Sequence, residues 1–129
     1  MALRGLNIQR KWAQKIYDGR KTIEARKYPL KNYKNEMLWI LETPGKPKRG
    51  WSTAITGMIA FCDEKKYASL EEWNADRGLH CIEEHDAFDW DGTGRMYGWY
   101  ISHVEKFHAP IAPPNKRGMV GCKKIEALV

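Results

Sequence analysis

The stretch WAQKIYDGRKTIEAR, Trp12 to Arg26, changes its periodicity halfway, and that change decides the fold. Trp12, Ala13, Ile16 and Tyr17 recur at helical spacing, and Gly19 follows where a helix end favours a glycine cap. From Lys21 onward the period is two: Ile23 and Ala25 face one way, and Thr22, Glu24 and Arg26 the other. A short helix that turns through a glycine into a two-faced strand is predicted. Cations crowd the turn, with Arg20, Lys21, Arg26 and Lys27 around the acid Glu24. Either this is a solvated basic strand, or Lys21, Glu24 and Arg26 are set out for chemistry.

Outward from this stretch, ALRGLNI (Ala2–Ile8) has the apolar character of a first strand. EMLWILET (Glu36–Thr43) reads as a buried strand, closed by the turn-forming PGKPKRG (Pro44–Gly50). STAITGMIAFCDE (Ser52–Glu64) reads as a longer strand with Gly57 at a bulge or bend. Ser69 stands three residues before Glu72, a capping-box pattern that opens a helix from Leu70 to about Arg77. IEEHDAF (Ile82–Phe88) is expected to form a further helical turn, and DWDGTG (Asp89–Gly94) a loop. MYGWYISHVEKFH (Met96–His108) returns to strand, with Tyr97, Trp99, Ile101 and His103 on one face. APIAPPNKRG (Ala109–Gly118) is a proline-rich connector, and MVGCKKIEAL (Met119–Leu128) is a last strand. The expected fold class is α+β: a small β-barrel of five to six strands with an early helix and a helical insertion in the middle.

The 129 residues suit a single domain, 1–129, with an apolar content of 43% that supports a packed core. No apolar run reaches the roughly 20 residues of a membrane helix, so no membrane partner is expected. MALRGLNIQRKW has no apolar signal core, and three cysteines without paired spacing read as reduced thiols; a cytoplasmic setting is expected. The net charge of +6 is uneven. Residues 1–50 carry 13 Lys/Arg against 4 Asp/Glu, residues 51–93 carry 3 against 10, and residues 94–129 carry 6 against 2. Basic ends flanking an acidic middle would draw a phosphate-bearing partner, if the ends meet in space. A basic surface kept only for solubility is the plainer account.

HCIEEHD (His80–Asp86) gathers metal-ligand types, but its two histidines are five apart, which turns them off a common helical face. A calcium loop built on Gly92 would begin at Ala87 and close at Gly98, and neither can bind a cation. Neither metal nor cofactor is assigned. Aromatic residues interleave with the cations: Trp12, Tyr17, Tyr28 and Tyr33, then Tyr97, Trp99 and Tyr100. Exposed rings and cations are how single-stranded nucleic acid is held, whereas Trp39 is read as core. Trp73 and Trp90, if exposed, would instead make the acidic middle a protein-docking surface.

The pattern W-A-x-x-I-x-x-G-x-K-T-I-E-x-R, Trp12 to Arg26, resembles the N-terminal signature of ASCH domains in the PUA-like barrel superfamily. Gly19, Lys21, Glu24 and Arg26 match the G-x-K-x-x-E-x-R core. The likeness continues in G-x-I-A-F (Gly57–Phe61), in YGWYI (Tyr97–Ile101), and in F-x-x-P-I with the following R-G and final strand (Phe107–Val120). The acidic segment at about 63–93 has no clear counterpart and is expected to be an insertion. The resemblance implies a barrel whose cleft is lined by the motif and binds single-stranded RNA or a modified nucleotide or nucleoside. Trp12, Lys21, Thr22, Glu24, Arg26, Tyr97 and Trp99 are the expected ligand-binding residues. The family also implies an alternative, a small hydrolase acting on acylated cytidine or a ribonuclease, with Lys21 and Glu24 as the catalytic residues. One enzymatic branch carries a threonine nucleophile three residues after the lysine, where this chain has Glu24. A carboxylate cannot take that role without different chemistry. Binding and catalysis both stay open, as does the oligomeric state.

Read without the family, Glu24 and Arg26 stand two apart on one strand face, where a carboxylate and a guanidinium can fix one another. Lys21 would then be free to meet a ligand phosphate or carbonyl, and burial would lower its pKa toward base chemistry.

Overall fold

The computed structural model describes residues 2–45, 53–112 and 124–126. The chain runs β1 (Ala2–Gln9), α1 (Arg10–Tyr17), β2 (Ile23–Arg26), a 3₁₀ turn (Lys31–Tyr33), β3 (Leu38–Thr43), β4 (Ala54–Lys66), α2 (Leu70–Ala75), α3 (Arg77–His80), β5 (Tyr97–Ile111) and β6 (Lys124–Glu126). The strands form one sheet in the order β2-β5-β4-β3-β1-β6. Only β1 and β3 pair in parallel; the other neighbours are antiparallel.

The β3 segment explains why its four apolar residues run without a polar break. Leu38 and Ile40 enter the main cluster with Leu6, Ile8, Phe61 and Trp99. Trp39 and Leu41 point to the other face, into a second cluster with Ile55, Met58 and Ile125. Both faces are covered, so alternation of direction does not mean alternation of polarity. The Trp39 indole N–H donates to the Ile125 carbonyl at 2.7 Å, tying β6 to the outer cluster.

Helix α1 buries Trp12, Ala13 and Ile16, as the helical spacing predicts. Gly19 has φ of +85°, and its N–H donates to Ile16 O, so the glycine ends the helix in the left-handed region. The long antiparallel pair β4–β5 changes register beside Gly57 and again near Phe61, and such bulges bend a sheet into a curl. Gly57 is where the backbones crowd most. A Cβ there would collide with the Glu105 carbonyl and sit 2.5 Å from the Tyr17 hydroxyl.

The acidic middle departs from its expected form in three ways. Asp63–Lys66 belong to β4, Tyr67, Trp73 and Ile82 are buried in the main cluster, and His80 is buried against Trp73. The Ser69 hydroxyl accepts from the Glu72 N–H at 3.2 Å, but Glu72 reaches back to the Ala68 N–H at 2.7 Å, one residue earlier than the standard box. Ile82–Phe88 forms turns instead of a helix; the helical turn lies just before it, at Arg77–His80, and ends where Cys81 takes φ of +60°. Within that turn segment Asp89 accepts from the His85 N–H at 3.1 Å, a loop bond.

At the other end of the middle, β5 continues through Ala109–Ile111, which composition alone had assigned to a connector. The rest of that connector, most of the last segment, and the PGKPKRG turn beyond Gly45 lie outside the described residues. No helix among the described residues is long and apolar enough to cross a membrane.

Candidate functional site at the seam of the barrel

The outermost strand β2 curls back toward β1. Among the described residues, strand β6 pairs with β1 at Ala2–Arg4. A cavity of about 480 Å³ opens between Asn7–Gln9 and Glu24–Tyr28. Trp12 of α1 and Thr43 of β3 also line it, with Ile82 and Phe88 from the acidic middle and Met96 just before β5. The Arg26 guanidinium donates to the Asn7 carbonyl at 2.7 Å, a side-chain stitch across the seam.

Glu24 is the hub of the wall. Its Oε2 accepts from Arg26 Nε at 3.0 Å and from Arg26 Nη2 at 2.7 Å. Its Oε1 faces Lys21 Nζ at 3.6 Å, and Glu24 itself is 5% exposed. The face predicted to be polar is thus polar but not solvated, because the cavity walls and α1 cover it.

Lys21 is more deeply buried still, at 2% exposure, which excludes a plain surface cation. Its ammonium donates to the His80 carbonyl at 2.5 Å and lies 5.0 Å from the centre of the Trp12 ring. Burial holds its pKa below the ordinary lysine value, while Glu24 pulls the other way. Lys21 is therefore anchored before any ligand arrives, not free as the motif alone suggests.

His80 provides that anchor through its backbone, and its ring is fixed from both sides. The ring stacks on Trp73 at 4.0 Å between centroids. Nδ1 accepts from the Ile82 N–H at 3.0 Å, so Nε2 carries the proton and donates to the Trp73 carbonyl at 3.0 Å. Burial pushes its pKa down to about 4. Both nitrogens of the neutral ring are thus occupied within the fold.

Of the expected ligand-binding residues, Trp12, Lys21, Glu24 and Arg26 line the cavity together. Thr22 does not: it is exposed, and its backbone bonds Leu79 O and Ile101 N. Tyr97 and Trp99 pair with Arg26 and Glu24 across the ladder but stand outside the cavity lining. Trp99 is fully buried against Tyr28, Tyr33 and Phe61, with its indole N–H on the Tyr28 carbonyl at 3.3 Å. It backs Arg26 instead of offering a stacking face. Trp73 is fully buried and Trp90 half-buried, so neither is the exposed ring a docking surface would need.

Among the lining residues that the motif did not indicate are Asn7, Gln9, Thr43, Ile82, Phe88 and Met96. Phe88 is 44% exposed and meets Trp12 edge-on, with centroids 6.5 Å apart. Its loop is tied down on both sides, by Lys11–Asp86 and Lys27–Asp91, each at 2.8 Å.

A curled, mainly antiparallel sheet with a motif-lined cleft at its seam defines a PUA-like barrel of the ASCH type. The ASCH domain family profile matches residues 6–112, and the chain belongs to that family. Among solved structures it is similar to an ASCH protein from Zymomonas mobilis, with a TM-score of 0.65 and 18% identity over 83% of this chain and 71% of the other. A serine-to-alanine variant of that protein matches with a TM-score of 0.64 and 19% identity, over 87% and 77%. At such identities the likeness speaks for the fold. No match was found among curated proteins.

Proposed function

We propose that this protein binds single-stranded RNA or a modified nucleotide or nucleoside in the seam cavity. The observation that carries the reading is the convergence of Lys21, Glu24, Arg26 and Trp12 on one concave site of about 480 Å³. That volume suits one nucleotide unit, not a duplex. The basic first third and the family's PUA-like barrel support a nucleic-acid ligand. The test is binding of a labelled single-stranded RNA across a salt series. Affinity is expected to fall as salt rises, and Lys21→Ala or Arg26→Ala should weaken it about tenfold or more. Salt-insensitive or absent binding would remove the reading.

A hydrolytic reading is favoured by one observation, the buried Lys21 with its lowered pKa beside Glu24. Thr22 lies outside the cavity, and the threonine on its wall is Thr43. Product analysis after incubation with acylated cytidine and with single-stranded RNA is the check; equal turnover by Lys21→Ala would sink it.

A further inference from the structure

The buried polar groups of the cavity wall are already partly spent, and what remains unspent is specific. Arg26 uses its fork on Glu24 Oε2 and its reach on the Asn7 carbonyl. Glu24 Oε2 has both lone-pair directions filled. Glu24 Oε1 faces Lys21 at 3.6 Å, beyond hydrogen-bond reach, and accepts from no other described residue. Lys21 carries three protons and places one on the His80 carbonyl. On this wall a donor, Lys21 Nζ, thus stands beside an acceptor, Glu24 Oε1.

We propose that this pair reads the adjacent N–H and C=O of an unpaired lactam base of the uracil type. The base carbonyl accepts from Lys21 Nζ, and the base N–H donates to Glu24 Oε1. The inference rests on the nucleic-acid reading of the cavity and names which part of the nucleotide enters it.

Three considerations select this ligand chemistry. A phosphate presents only acceptors, so it could meet Lys21 Nζ but would leave Glu24 Oε1 facing like charge. An amidine edge, as in cytosine or adenine, brings an amino group with a second N–H. With Glu24 Oε2 filled by Arg26, the Lys21–Glu24 pair has no acceptor left for that proton, which raises its desolvation cost. The apolar lining suits a ring: Ile8, Trp12, Ile82 and Met96 border the cavity together with Phe88, which is 44% exposed. Pairing within a duplex would occupy the same edge, so only an unpaired base can be read.

The experiment uses the whole protein and three RNA oligomers of equal length: oligouridylate, its 3-methyluridine counterpart and oligocytidylate. Their phosphates are identical, so calorimetric titration isolates the base edge. Oligouridylate is expected to bind at least about tenfold more tightly than either of the others. Equal binding of oligouridylate and the methylated oligomer overturns the inference and leaves the nucleic-acid reading standing. Cytidylate binding as tight as uridylate overturns the choice of a lactam edge. Failure of all three to bind overturns both readings.

Discussion

Arg26 reaches across the barrel seam to the Asn7 carbonyl at 2.7 Å while two of its other N–H groups hold Glu24 Oε2. One side chain thus joins β2 to β1, which sit at separate places in the sheet order, and fixes the carboxylate that shapes the cavity. The guanidinium does both because its donors lie in a rigid plane.

Arg26→Ala leaves Glu24 buried without its main partner and opens the stitch. Removing one member of a buried pair costs about 3–5 kcal/mol. The Arg26 side chain is 18% exposed, so about 2–4 kcal/mol is expected here. Arg26→Lys keeps the charge but cannot fork, and should fall between. Urea denaturation of the three proteins checks the order; equal midpoints would show that the seam is held by other contacts.

Gly57→Ala tests the tightest backbone crossing. The added methyl would overlap the Glu105 carbonyl of β5 and press on the Tyr17 hydroxyl, which bonds Thr56 Oγ1 at 2.7 Å. Backbone cannot yield as a side-chain tip can, so a loss of about 2 kcal/mol or more is expected. A thermal midpoint unchanged within a degree would refute the crowding.

The core of the site was legible because Trp12, Lys21, Glu24 and Arg26 are joined by a few covalent steps. A helix cap followed by period-two alternation sets their relative positions locally. His80, Ile82 and Phe88 were not legible, since they reach Lys21 and Trp12 only after Trp73 and Tyr67 pack the acidic middle onto the core. Their charged surroundings read as solvated surface, while the buried residues among them are too few to form a pattern. Trp99 misled for the opposite reason. Its place opposite Glu24 is set by the ladder, but whether that face holds solvent or core depends on Tyr28 and Tyr33, which cover it.

Lys21 gives stability a pH dependence of known sign. Burial lowers its folded-state pKa below the ordinary 10.5, so between the two values the unfolded chain binds more protons. Its ammonium burdens the fold at neutral pH, and stability should rise as pH climbs through the folded value toward 10.5. Tyr17, pushed up to about 12 by burial, acts oppositely only above its ordinary 10.0. Comparing the wild type with Lys21→Met by urea unfolding from pH 7 to pH 10 isolates the lysine. The wild type should gain stability relative to the variant as pH rises; a difference that stays flat up to pH 10 would mean that Glu24 offsets burial.

His80 governs the acid side. Its pKa is pushed from 6.5 down to about 4, so the neutral ring's contribution is complete above pH 6.5 and disappears as pH falls through 4. A shift of that size corresponds to about 2–3 kcal/mol, at 1.36 kcal/mol per unit with allowance for relaxation. Protonation would put a donor at Nδ1 against the Ile82 N–H and disturb the carbonyl that holds Lys21. His80→Gln removes the titration while keeping polar atoms near both partners. Its stability is expected to be lower than wild type at pH 7 and flatter between pH 6.5 and 4, so that the two curves converge on acidification. Parallel curves over that interval would place the acid sensitivity elsewhere and leave His80 as packing alone.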